Sequence, residues 1–365
     1  MGVLKYIPML KIDLMKRILL IVILCLTGML VNAQSLRFSS MIHPSGTKLY
    51  LYKEWPEHEL IDTLIFQGKP VTMNLPDTLA VYAIQSRKPW MSSTIFPGSK
   101  PVAVAVMKDS SVKVNGGPLQ REWDRIEDSL APVQAEWNKW GNIYSESKDL
   151  EVKLEANNKS NYYAGIVQRS RLQFALHHAD DLAGAYMADY YSFAWQPGDL
   201  KQLLPAFKNI DRYKPVYDKL SAKWTFFENT KLVGKMAPTF NLESIDGKKY
   251  DLQEILKGHK YVLVDFWASW CTPCRATNRK LAPHYKDLQR RGIALVSISV
   301  DEKDEAWRKA VASDKIPWLQ LISREGMKSQ CVVDYKVTSL PSTFLLDQSG
   351  KVIQQHVELE ELLQL

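Results

Sequence analysis

The stretch Tyr261 to Arg275, YVLVDFWASWCTPCR, limits what this chain can fold into more than any other. Tyr261 to Trp267 is a run of β-formers with one charge in it and reads as a buried strand. It empties into Trp270-Cys271-Thr272-Pro273-Cys274, which opens a helical segment. A helix N-terminus offers unpaired N–H groups and the positive end of the peptide dipole, and both stabilise a thiolate. Cys271 falls at that junction. Cys274 follows three residues later, on the same helix face and within reach of a disulfide. Pro273 suits a first turn, where no N–H is lost.

Asp265 is the charge inside the strand, six residues before Cys271. A carboxylate buried without a partner is costly, so its pKa is expected to rise. Such an acid could pass protons to and from Cys274; the plain alternative is a strand-end Asp that reaches solvent.

These residues resemble the thioredoxin superfamily, and Val233 to Leu365 is similar to its secreted TlpA/ResA-like branch. The likeness rests on Ala237-Pro238-Thr239-Phe240, Asp246-Gly247-Lys248, the WCTPC motif and Ser299-Val300-Asp301 with Trp307. It continues through Pro317-Trp318 and Leu340-Pro341-Ser342-Thr343-Phe344-Leu345-Leu346-Asp347 with Gly350-Lys351. The resemblance implies an α/β thioredoxin fold, a central sheet flanked by helices, with Pro341 as a cis-proline beside the dithiol. It also implies a catalytic set of Cys271, Cys274, Asp265 and Pro341, and a partner-facing surface built from Trp270, Thr272, Pro273 and Leu340. No cofactor is expected. Two departures stand out: Thr277 and Arg279 occupy the places of an acidic residue and a helix-kinking proline, and Leu359 that of a glycine before the last helix. A straighter helix and a more basic surface beside the site are expected.

With 365 residues the chain has room for two or three domains. Met15-Lys16-Arg17, the apolar run Ile18 to Val31 and Val31-x-Ala33 read as a secretory signal cut after Ala33, with translation starting at Met1 or Met15. A retained membrane anchor is the competing reading, against which the run is short. Cleavage removes Lys5, Lys11, Lys16, Arg17 and Asp13, taking the formal charge from +7 to +4. No basic run suggests nucleic acid. The four cysteines then become Cys271, Cys274 and Cys331, a redox pair and a spare rather than a disulfide framework. Cys331 reads as a buried small hydrophobe.

From Ser35 to Gly117 the pattern is one of short strands at Lys48–Tyr52, Thr63–Phe66, Leu79–Ile84, Val102–Val106 and Val112–Val114. It predicts a small β-sandwich, similar to the domain of unknown function found before TlpA-like domains in Bacteroidetes exported proteins, through Ser45-Gly46, Asp62, Gly68-Lys69 and Val112-x-Val114-x-Gly116. His43 and His58 read as surface residues, and Tyr50, Tyr52, Trp55 and Trp90 as sheet aromatics that could line a binding face. Beyond Pro118, Leu119, Trp123, Ile126, Leu130, Val133, Trp137, Trp140 and Tyr144 form one helical stripe that should be buried, in a single helix or in two broken near Pro132. Further helices are expected at 160–178, 181–194, 197–210 and 211–227. Asp181 reads as an N-cap rather than a metal ligand with His177 and His178. The division expected is 1–33 signal, 34–117 sandwich, 118–230 helical region and 231–365 thioredoxin-like domain.

The function expected is thiol–disulfide exchange through Cys271 and Cys274 in the periplasm or cell envelope, with reduction favoured over oxidation. Its partners would be disulfide-containing or dithiol envelope proteins, and a membrane electron donor or acceptor. The rivals are a thiol peroxidase, which would want Thr and Pro ahead of one cysteine, and an envelope binding protein whose dithiol is sensory or structural. A structural zinc site lacks a second ligand pair near Cys271 and Cys274.

Overall fold

A computed structural model describes residues 34–365; the expected leader, with Met15 and Cys25, lies outside the described residues. The described residues fall into two compact units, one made of 34–131 with Arg169–Tyr217 and one of Pro132–Gln168 with Asp218–Leu365.

The first unit begins as a sandwich of eight strands: β1 (Gln34–Ser40), β2 (Thr47–Trp55), β3 (Glu59–Phe66), β4 (Val71–Leu75), β5 (Val81–Arg87), β6 (Trp90–Ile95), β7 (Val102–Val106) and β8 (Val112–Asn115). They form two sheets, β4-β1-β7-β8 and β3-β2-β5-β6. Alternate residues, among them Leu36, Phe38, Leu49, Leu51, Tyr82, Ile84, Val102 and Val104, meet in one core. Three strands, β1, β4 and β6, were not expected. They place Ser, Arg, Thr or Asn at most outward positions, which leaves two or three apolar residues in each as a signal, one of them in β6 the outward Trp90.

His43 is buried, not a surface residue. Its ring nitrogens lie 2.7 Å from Ser40 Oγ and 2.7 Å from Ser86 Oγ, and burial lowers its pKa. His58 is exposed and stacks on Tyr52, which stacks on Tyr50. Trp90 is exposed, whereas Trp55 is buried against Tyr213, so the four aromatics do not form one face.

The helices α1 (Pro118–Glu146) and α2 (Leu150–His177) are shared between the units, and α1 runs through Pro132 without a break. Only Trp123 and Leu130 of its stripe are buried; Trp137 is exposed. Next come α3 (Leu182–Tyr190), α4 (Pro197–Phe207) and α5 (Lys214–Thr230). Asp181 caps α3, accepting from Ala183 N and Gly184 N, and its other carboxylate oxygen holds His178 Nδ1 at 2.7 Å.

In the second unit a seven-stranded sheet carries the order β10-β9-β13-β12-β11-β14-β15. Its elements in sequence are β9 (Asn241–Ser244), β10 (Lys249–Asp251), α6 (Leu252–Leu256), β11 (Tyr261–Trp267), α7 (Thr272–Leu281), α8 (Tyr285–Arg290) and β12 (Ile293–Ser299). Then follow α9 (Asp304–Ser313), β13 (Leu319–Ile322), α10 (Gln330–Asp334), β14 (Ser342–Asp347), β15 (Val352–Gln355) and α11 (Leu359–Leu362). Strand β11 lies between parallel β12 and antiparallel β14. Both neighbours cover its backbone, as its near-continuous apolar run requires. The β14–β15 hairpin turns at Gly350, which adopts φ +85°.

Gly184 sits where α3 meets the end of α2, and a Cβ there would stand 2.0 Å from His178 O. Gly184→Ala should therefore lower stability by about 3 kcal/mol, as overpacking against backbone does. Gly198→Ala, into open space at the start of α4, should be neutral or slightly stabilising. Urea unfolding followed by circular dichroism compares the two, and equal midpoints would contradict the packing argument.

Candidate active site

Chain direction places the site. Strand β11 ends at Trp267, a turn carries Ala268 to Trp270, and Cys271 is the N-cap of α7. Asp301, just past β12, fastens that turn: its carboxylate accepts from Ser269 N at 2.8 Å, Ser269 Oγ at 2.7 Å and Ser299 Oγ at 2.7 Å. Pro273 occupies the first turn of α7.

The sulfurs of Cys271 and Cys274 are joined in a disulfide, with Cα atoms 5.3 Å apart. Cys271 Sγ also accepts from Cys274 N at 3.3 Å, the bond expected of a side chain that caps a helix. Cys274 is 1% exposed and Cys271 5%, while Trp270 beside them is 65% exposed. Of the two sulfurs Cys271 is thus the one an incoming partner meets first. The Leu340–Pro341 peptide is cis. Next to Trp270 lies an open cleft of about 610 Å³, walled by Ser269, Asp301, Glu302, Lys303, Met327 and Lys328, which no motif announces.

Asp265 is buried on β11. One carboxylate oxygen accepts from Ser297 Oγ at 3.1 Å, and Ser297 Oγ itself accepts from Trp318 Nε1 at 2.8 Å; the other oxygen has no partner. Burial pushes the carboxyl up to about 7, against the opposing bond from Ser297. The strand-end reading of Asp265 is thereby excluded, because the side chain is 4% exposed. Cys331 is a buried free thiol, which burial pushes up to about 12.

Arg279 does not make the surrounding surface basic. Arg275 binds the buried carboxylate of Asp314 through two bonds of 2.7 and 2.8 Å, and Arg279 binds the same carboxylate at 2.7 Å while also pairing with Glu151. Helix α7 keeps its geometry through Arg279 to Leu281, and a 3₁₀ turn at Ala282–His284, containing Pro283, leads into α8. The interruption absent at Arg279 thus falls four residues later. Asp314 and Asp301, the two carboxylates that fix α7 and its turn, were not singled out from the sequence as site residues. Asp301 lies 32 positions from Ser269, and Asp314 lies 35 and 39 from Arg279 and Arg275, so only the fold joins them.

A parallel β11–α7–β12 unit with a dithiol capping the helix and a buried acid in the strand defines a thioredoxin-like thiol–disulfide oxidoreductase. Residues 233–355 match the AhpC/TSA family. Over 123 residues the chain is 32% identical to the thiol-disulfide oxidoreductase ResA of Bacillus thuringiensis subsp. konkukian, covering 34% of this chain and 68% of that protein. It is 30% identical over 124 residues to the thiol:disulfide interchange protein HelX of Rhodobacter capsulatus, covering 34% and 67%. A solved thiol-disulfide oxidoreductase from Bacteroides fragilis is 31% identical, covers 36% of this chain and 96% of its own, and superposes with a TM-score of 0.34. The chain belongs, through its C-terminal domain, to the ResA-like thiol–disulfide oxidoreductases.

An acid held near pKa 7 when folded, against 3.8 ordinarily, binds its proton more tightly folded than unfolded. Its contribution to stability is whole below about pH 4 and is lost as the pH rises towards 7. The loss is on the order of 4 kcal/mol. Asp265→Asn should accordingly gain stability relative to the native protein between pH 4 and pH 8 by up to about that amount. Urea titrations at pH 4, 6 and 8 measure it, and a difference that does not grow with pH would show that Asp265 titrates normally.

Proposed function

We propose that the protein acts outside the cytoplasm as a reductase of disulfides in exported proteins, through Cys271 and Cys274. Cys271 standing as the cap of α7, bonded to Cys274 with Trp270 exposed beside it, carries this reading. In the reduced protein the helix end and the Cys274 N–H favour the Cys271 thiolate at neutral pH. That thiolate attacks one sulfur of the substrate disulfide, forming a mixed disulfide as the other sulfur leaves as thiolate. Cys274 then gives its proton to Asp265 and attacks Cys271 Sγ, releasing the second substrate thiolate. Two electrons pass from the protein to its substrate.

Trp270, Pro273 and Leu340 with cis-Pro341 form the surface on which a partner strand lies, and the cleft beside Trp270 extends it; Thr272, expected on that surface, is buried. The basic and apolar segment Lys16 to Val31 supports export, and in an oxidising compartment the dithiol must be renewed by a donor, for which a membrane protein is proposed. Reduction is favoured over oxidation on the likeness to the ResA-like relatives and the proposed donor, because a helix-stabilised Cys271 thiolate serves exchange in either direction and does not set it.

Cys271→Ser should reduce insulin disulfides no faster than buffer containing the same reductant, and Cys274→Ser should accumulate mixed disulfides with proteins of a cell-envelope extract. Equal insulin reduction by Cys271→Ser and the native protein would remove the catalytic reading. An extract that yields no trapped partner would remove the exported-protein substrate.

A further inference from the structure

The sheet face beneath α7 carries a row of polar side chains at one level. Strand register sets Thr343 of β14, Asp265 of β11, Ser297 of β12 and Gln320 of β13 side by side, and all four are buried. Cross-strand partners share a face of a sheet, so four polar groups cross a layer that is otherwise apolar. The crossover from β11 to β12 runs through α7 and α8 on one face. Contacts identify that face: Tyr285 of α8 packs on Trp318 at 5.7 Å, Trp318 donates to Ser297 Oγ, and Ser297 donates to Asp265.

Asn278 is the polar residue that α7 turns back towards this layer. It lies four residues after Cys274, one turn on, and shares the buried face of α7 with Cys274 and Leu281. Its exposure is 0%. Neither carboxamide atom of Asn278, neither amide atom of Gln320 and not Asp265 Oδ1 has a hydrogen-bond partner among the described residues. A helix packed for stability alone would carry an apolar residue there, because a buried amide left unbonded is costly. Buried polar atoms that the protein leaves unpaired are the groups that hold internal water.

We infer that Asn278 is a positioning residue for proton transfer at Cys274: with Gln320 and Asp265 it lines the polar passage by which the Cys274 proton reaches the acid. A carboxamide donates and accepts at once, so it can orient a proton-carrying chain without itself changing charge. The inference rests on the oxidoreductase reading and deepens its resolving step. In that step the Cys274 S–H proton moves to the Asp265 carboxylate and the sulfur electron pair forms the bond to Cys271 Sγ. The bond from Cys271 to the substrate breaks, its electron pair leaving on the substrate thiolate. Cys274 from α7 and Tyr285 from α8 are the titratable groups brought to this face. Arg275 and Arg279 of α7 are engaged by Asp314 after α9, which turns Trp307 inward, and β12, β13 and β14 contribute only Ser297, Gln320 and Thr343 at this level.

The reduced full-length protein, mixed with 5,5′-dithiobis(2-nitrobenzoate), releases one chromophore when Cys271 attacks and a second when Cys274 resolves. Stopped-flow absorbance across pH 5 to 9 separates the two, and buried Cys331 is too weakly acidic to add a fast phase. Asn278→Leu should leave the first release within about twofold, slow the second by roughly tenfold or more at pH 7 and move its pH midpoint. Asn278→Ala, too small to clash, should act in the same direction if the leucine variant does not fold. A second release whose rate and pH profile match the native protein, with a raised unfolding midpoint, would mean that Asn278 is only an unpaired core residue and would overturn the inference. A native protein that gives no second release would instead bring down the oxidoreductase reading, and this inference with it.

Discussion

Asp301 holds the turn on which the dithiol stands. Three donors from two segments, Ser269 N and Oγ and Ser299 Oγ, converge on one buried carboxylate, so the end of β11 is tied to the end of β12. Charge-assisted bonds of this kind are short and directional. They supplement the backbone bonds Cys271 N to Ala268 O and Val300 N to Trp267 O, and unlike the disulfide they stay closed when a reductase opens its dithiol. The site therefore keeps its geometry through groups that take no part in the redox change.

The far side of α7 is anchored by the same device. Asp314 is buried and receives two guanidinium groups, which compensates its desolvation through three short bonds rather than one. A helix bound at its start to Asp301 and along its flank to Asp314 can present its N-terminal N–H groups to Cys271 with little freedom to tilt. Arg279, where a relative would place a helix-kinking proline, is thus part of the frame and not a free charge.

Much of the site was legible because it is local. The strand Tyr261–Trp267, the cap Cys271, the proline of the first turn and the odd charge Asp265 lie within fifteen residues, and short-range sterics and dipoles decide what such a run does. The sandwich was legible where strands are apolar on one face and clearly bounded, as at Thr47–Trp55 and Val102–Val106. Strands β1, β4 and β6 escaped notice because most of their outward residues are polar and few apolar ones mark the inner face. The α1 stripe misled in the other direction: its spacing described one helix face correctly, but burial depends on what covers that face, and Trp137 remains open.

By itself the amino-acid order determined the chemistry on offer, a cysteine pair at the mouth of a helix and an acid in the strand that feeds it, because those relations span only a turn or two of chain. Tertiary structure decided how that chemistry is tuned. Ser297 bonds Asp265 from the neighbouring strand and is itself held by Trp318, while Asp301 reaches Ser269, and Asp314 reaches Arg275, from more than 25 residues away. Burial, and with it the acid's affinity for its proton, belongs to that assembly: a carboxyl group is desolvated by everything packed around it, and no neighbour in sequence can supply that.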